Sequence, residues 1–208
     1  MKDTYRRNLQ GFVALNALIF FVLFSGEDMI TAIQLGQFEG LISLKALLGL
    51  VLPLVTLVLD GIVSADAKAI LVYWRLRDPL PGSQAFTKHG PADPRVDMES
   101  LERVYGSFPA PANEQNQLWY RIFKAVEDQP SISQAHRTSL LTRDLANLSF
   151  ALAPLGAILG AALRVGMLPW ALLVAVLAVQ YLVLRKVAVN SGRRFVTTVL
   201  AEAAASTD

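Results

Sequence analysis

A chain of 208 residues with 53% hydrophobic content and a mean hydropathy of +0.42 is more apolar than an ordinary water-soluble domain. Its formal charge is only +2, and it lacks cysteine, which excludes disulfides, thiolate catalysis and cysteine-based zinc sites. Four apolar stretches, 9–24, 41–63, 145–163 and 168–184, hold just two ionisable residues, Lys45 and Asp60. A helix of ~20 apolar residues crosses a bilayer's hydrocarbon core. The sequence therefore predicts an all-α, polytopic membrane protein. Residues 1–63 would hold the N-terminal tail and two transmembrane helices, 64–144 a helical cytosolic insert, 145–186 two further spans and 187–208 a cytosolic tail.

Lys2, Arg6 and Arg7 precede the first span, and Asn16 lies inside it. A basic start and an apolar run also fit a signal peptide, but Leu23-Phe24-Ser25-Gly26 offers no A-x-A-like cleavage site. Residues 25–40, with Glu27, Asp28, Glu39 and no basic residue, read as an outer loop. The second span carries Pro53. No strong helix breaker follows until Asp78-Pro79, so this helix is expected to run on into the insert.

Residues 78–93, rich in Pro and Gly, read as loop. Asp93-Pro94 is expected to cap and open a helix with the stripe Met98, Leu101, Val104, Tyr105 and Phe108. Pro109 and Pro111 end it. A second insert helix carries Leu118, Trp119, Ile122, Phe123 and Val126 on one face. A third begins near Ser131 and continues into the third span. There Gly156 and Gly160, flanked by Ala153, Ala157 and Ala161, form a small-residue face for helix packing within or between subunits. The fourth span continues past Arg185-Lys186 as a helical tail.

Lys and Arg flank the spans at both termini and at both ends of the insert, while loop 25–40 has none. By the positive-inside rule both termini and the insert belong in the cytoplasm. The insert holds ten Lys/Arg and ten Asp/Glu, so no net basic field recruits nucleic acid.

Three groups of residues are candidates for function. Lys45 and Asp60 are ionisable groups within a span, which are costly and usually functional, or else snorkel and pair at its ends. His136, Arg143 and Asp144 share roughly one helix face, as base or ligand or as a packed interface. Glu114, Gln115, Asn116, Trp119 and Tyr120 combine amide, carboxylate and aromatic groups that could read a small ligand or simply cap a bundle. There is no P-loop, no G-x-G-x-x-G, no nucleophile elbow and no metal-ligand spacing. No catalytic residue, cofactor or metal is assigned.

The four-span layout, with R-D-P-L-P-G at 77–82, E-Q-N-Q-L-W-Y at 114–120 and H-R-T-S-L-L-T-R-D at 136–144, resembles small bacterial membrane proteins of antiphage defence operons. The likeness covers most of the chain as layout and transfers no site residue. It implies a multi-pass protein of the inner (cytoplasmic) membrane. The expectation is a non-enzymatic homo-oligomer, embedded in lipid, that couples a cytosolic signal or protein partner to membrane perturbation or recruitment. The alternatives are a membrane-embedded enzyme at the inner leaflet, using Asp60 or the His136–Asp144 face, and a small proton-coupled transporter subunit using Asp60.

Overall fold

Every regular element in the computed structural model, which describes residues 2–35 and 44–206, is helical. Seven α-helices follow in chain order: α1 (Lys2–Leu35), α2 (Leu44–Asp60), α3 (Ala65–Tyr73), α4 (Met98–Tyr105), α5 (Ala112–Val126), α6 (Pro130–Ala162) and α7 (Met167–Ala205). Three are long and apolar enough to cross a membrane: Thr4–Phe24 within α1, then α6 and α7. The second apolar stretch forms α2, whose 17 residues reach about 25 Å at helical rise, short of the ~30 Å hydrocarbon core. Residues 41–43 of that stretch lie outside the described residues.

Several boundaries differ from expectation. Helix α1 continues to Leu35, so most of the presumed outer loop is helical; residues 36–40 lie outside the described residues. The second apolar helix does not run into the insert. It stops at Asp60, where Gly61 N–H donates to Val58 O at 3.1 Å and Val63 N–H to Asp60 O at 3.2 Å. Ser64 then caps a new helix, its hydroxyl accepting from Ala67 N–H at 3.3 Å. That helix ends before Asp78, at Trp74, which adopts a left-handed conformation with φ 54° and donates to Ile70 O. Asp97, not Asp93, caps α4 and accepts from Ser100 N–H at 3.0 Å. Within 78–93, Pro81–Gln84 form a 3-10 turn and Ala85–His89 a single π-helical turn.

The chain divides into two units. The apolar unit comprises residues 1–63 and 144–184. Its core is Phe20 and Phe24 from α1, Leu152 from α6, and Leu173 and Leu177 from α7. A Cβ on Gly156 would come within 2.7 Å of the Phe20 ring, and one on Gly160 within 2.7 Å of Trp170. Both glycines thus admit aromatic rings of the same chain. Trp170 Nε1 donates to Ala157 O at 2.9 Å across the α6–α7 turn, where Arg164 takes φ 52°. Leu168, Leu172, Val176, Val179 and Val183 point outward along α7. Their four- and three-residue spacing makes one continuous apolar stripe.

The polar unit comprises residues 64–143 and 185–208. About 80 residues of insert form only a marginal core alone; here the end of α7 completes it. Phe195, Val196, Val199, Leu200 and Ala203 are buried among Phe86, Leu101, Leu118, Trp119, Ile122, Phe123 and Ile132. The three- and four-residue spacing on α7 is that of a helix face immersed in a core. Gly90 and Gly192 allow close approach, since a Cβ on Gly90 would lie 2.7 Å from Met98 Sδ and one on Gly192 would collide with the Tyr73 hydroxyl.

Candidate functional site

The polar halves of α6 and α7 flank a groove of about 570 Å³. Ser131, Gln134 and Thr138 line it from α6, one helical turn apart, and Asn190, Ser191, Arg194 and Thr198 line it from α7. Ala135 and Val187 lie among these groups, so the lining is mixed, while the large apolar residues Ile132, Phe195 and Val199 turn to the core. Arg95 completes the lining, held in a fork by Asp93: Nε to Oδ1 at 3.0 Å and Nη2 to Oδ2 at 2.7 Å. Its Nη2 also donates to Thr197 Oγ1 at 3.1 Å. The Arg95 guanidinium holds the Asp93 carboxyl well below the usual carboxylate range. Ser131 Oγ donates to Glu202 Oε1 at 2.6 Å, tying α6 to α7. Guanidinium, amide and hydroxyl groups of this kind bind polar or anionic ligands. Among the described residues no group of three His, Cys, Asp or Glu could hold a metal ion.

The sequence candidates do not converge on this groove. Glu114 is exposed in the first turn of α5. Asn116 is half-buried against Gly82, where a Cβ would come 2.5 Å from its Oδ1. Trp119 is buried, stacked on Phe123 with centroids 5.8 Å apart and edge-on to Phe195 at 5.3 Å; its Nε1 donates to Val196 O at 3.4 Å. Between them Gln115 is 2% exposed and fully used. Its Oε1 accepts from the amides of Phe86 and Thr87, both at 3.3 Å, and its Nε2 donates to Ala110 O at 2.9 Å. The E-Q-N-Q-L-W-Y stretch is therefore built around the packing face of α5.

His136 stacks on Phe195 at 4.8 Å and stands edge-on to Phe123 at 5.4 Å. Burial, with Arg143 and Arg137 nearby, pushes its pKa below the ordinary histidine value. It borders a cleft of about 530 Å³ with Tyr120, Lys124, Glu127 and Arg137. Arg143 is half-buried in the same unit, whereas Asp144 belongs to the apolar unit, where its carboxylate accepts from the Tyr5 hydroxyl. Asp60 is the half-buried last residue of α2. Lys45 lies in the first turn of α2, and its side chain is outside the described residues.

Two constellations went unread in the sequence. One is the groove itself, which needs the pairing of α6 with α7. The other is a polar cluster inside the apolar unit. Gln180 Nε2 donates to Asn16 Oδ1 at 3.2 Å and to Ser149 Oγ at 3.1 Å, and Asn16 Nδ2 donates to Phe12 O at 2.9 Å. Asn16 and Ser149 are fully buried. The available signal was one amide deep in each of two apolar runs, Asn16 in 9–24 and Gln180 in 168–184.

No family model, curated protein or solved structure matches this chain.

Proposed function

We propose that this is a non-enzymatic, four-span membrane protein whose polar unit receives a cytosolic ligand or partner and transmits the event to its apolar unit. One observation carries the proposal. Helices α6 and α7 are uninterrupted over 33 and 39 residues, and each gives one half to the polar unit and the other half to the apolar unit. A ligand that spreads or draws together their polar halves acts on the same two helices that pack around Phe20 and Phe24. The output would be membrane perturbation or recruitment. The layout shared with antiphage defence proteins would make infection the source of the signal.

In an assembled form, copies would meet along the outward stripe of α7, because Gly156 and Gly160 are already filled by rings of their own chain. Lipid covers that stripe equally well energetically, so the contact needs a direct test. Leu172→Cys in this cysteine-free chain is expected to give a cross-linked dimer in native membranes, with Gly11→Cys giving none. Absence of the Leu172 cross-link, with a monomeric mass in nanodiscs, would remove assembly from the proposal. Transmission is tested by Thr138→Trp, which fills the groove. Hydrogen exchange across 167–184 should change by at least threefold. An unchanged profile would sink the coupling.

A further inference from the structure

Beside the groove, the polar unit holds another concavity with a different electrostatic character. Lys88, Arg193 and Arg194 line a cleft of about 420 Å³ together with His89, Asp93 and Thr197. Asp93 is its one carboxylate, and both of its oxygens are already engaged by Arg95. Among the described residues neither Lys88, Arg193 nor Arg194 forms an ion pair. Three cations thus converge on one cleft with no carboxylate left to balance them. The polar unit as a whole carries 14 Lys/Arg against 11 Asp/Glu, and three of those cations line this one cleft.

We infer that the Lys88–Arg193–Arg194 cleft binds the phosphate group of a multiply charged anionic solute, a phosphate monoester or diphosphate. Arginine and lysine are the side chains that make charge-assisted hydrogen bonds to phosphate oxygens. His89, 8% exposed, forms part of the wall. Burial and the neighbouring Arg193, Lys88 and Arg75 hold its pKa down to about 4, so at neutral pH it presents an uncharged imidazole with one N–H donor. The cleft is large enough for a phosphate with an attached small group.

A phosphate could also come from a lipid headgroup, and α7 discriminates between the sources. Its apolar segment ends at Leu184, nine residues before Arg193, which is about 14 Å along the helix axis. The headgroup layer is only about 5–7 Å deep on each side. A solute is therefore favoured over a lipid. Phosphate binding is independent of coupling, since the cleft can fill without any response in the apolar unit.

The test is calorimetric titration of inorganic pyrophosphate into the full chain, in phosphatidylcholine nanodiscs at fixed ionic strength. Saturable binding is expected, weakened at least tenfold in Arg193→Gln and in Lys88→Gln and within twofold of the parent in Lys124→Gln, which lies elsewhere in the unit. A second arm adds phosphatidylglycerol. A tenfold loss of pyrophosphate affinity there, abolished by Arg193→Gln, would uphold the phosphate site and assign its natural occupant to the lipid. An unchanged affinity upholds the solute. No saturable binding in either lipid, or equal weakening by Lys124→Gln, overturns the inference.

Discussion

At single positions the structure makes sharp demands, and Gly192 is the clearest. It lies in α7 where the Tyr73 ring crosses, and a Cβ there would meet the phenol oxygen directly. Burial pushes the Tyr73 phenol up to about 12, against the opposing pull of Arg143 and Arg193, so it is a neutral ring packed close to a helix backbone. Gly192→Ala should therefore destabilise the polar unit by about 1–3 kcal/mol, the usual cost of overpacking. Tyr73→Phe in the same chain should recover much of that loss by removing the colliding atom. Gly11→Ala, with nothing within 4 Å of its Cβ, should leave stability unchanged or raise it by about 0.5–1 kcal/mol. Thermal unfolding of the three variants in one detergent separates these outcomes; equal effects at both glycines would contradict the packing described.

Histidine supplies a second prediction at the same scale. His89 is buried among cations, which lowers its folded pKa to about 4 from an ordinary value of 6.5. A depressed histidine favours the folded state only while neutral. Its contribution is complete above pH 6.5, falls as pH drops from 6.5 towards 4 because the unfolded chain takes up the proton first, and is flat below that. One group gives at most about 1.4 kcal/mol per pH unit, and solvent at the cleft mouth reduces this. Denaturant midpoints followed by tryptophan fluorescence should decline over that window, less steeply in His89→Gln. An identical slope in both proteins would mean that other groups govern acid sensitivity.

Among the elements, the existence of the helices was legible and their boundaries were not. Hydropathy alone marked α1, α2, α6 and α7, because a run of apolar residues has little choice but helix in lipid, though α2, at 17 residues, is not among the three helices long enough to cross. The insert helix α5 was equally readable from Leu118, Trp119, Ile122 and Phe123. What escaped were boundaries set by turn geometry: the stop at Gly61, the cap at Ser64, and the choice of Asp97 over Asp93. Two Asp residues four apart are equivalent as candidate caps in sequence, and only the pairing of Asp93 with Arg95 separates them. The Asn16–Ser149–Gln180 cluster escaped for a related reason, since each member is unremarkable until three helices meet. Hydrogen bonds between transmembrane helices contribute about 0.6–2 kcal/mol. Gln180→Leu should lower the stability of the apolar unit within that range, and Val179→Leu, on the outward stripe, should not. Unfolding titrations in mixed micelles measure the difference; a loss common to both would place the stabilisation in side-chain volume instead.

For the whole molecule, the joint core of the insert and the end of α7 constrains how the chain threads a membrane. Residues 64–143 and 185–208 share one buried interior, so both must lie on the same side. The chain between them would then cross an even number of times, and α6 and α7 are long and apolar enough to supply two crossings. The open count concerns α1 and α2. If α2, at 17 residues, crosses by locally thinning the bilayer, the N-terminus shares the side of the polar unit. If it does not, the N-terminus lies opposite. The basic residues Lys2, Arg6 and Arg7 favour the first arrangement. Single cysteines in this cysteine-free chain decide it: Asp3→Cys, Thr138→Cys and Ser206→Cys should all resist an impermeant maleimide added outside intact spheroplasts and react once the membrane is opened. Labelling of Asp3→Cys alone from outside would reduce the spans to three and remove α2 from the crossing set. Labelling of Thr138→Cys and Ser206→Cys from outside would put the polar unit beyond the cytoplasm, away from any cytosolic signal it is proposed to receive. Opposite behaviour of Thr138→Cys and Ser206→Cys would break the shared core, and with it the two-helix route from ligand to membrane.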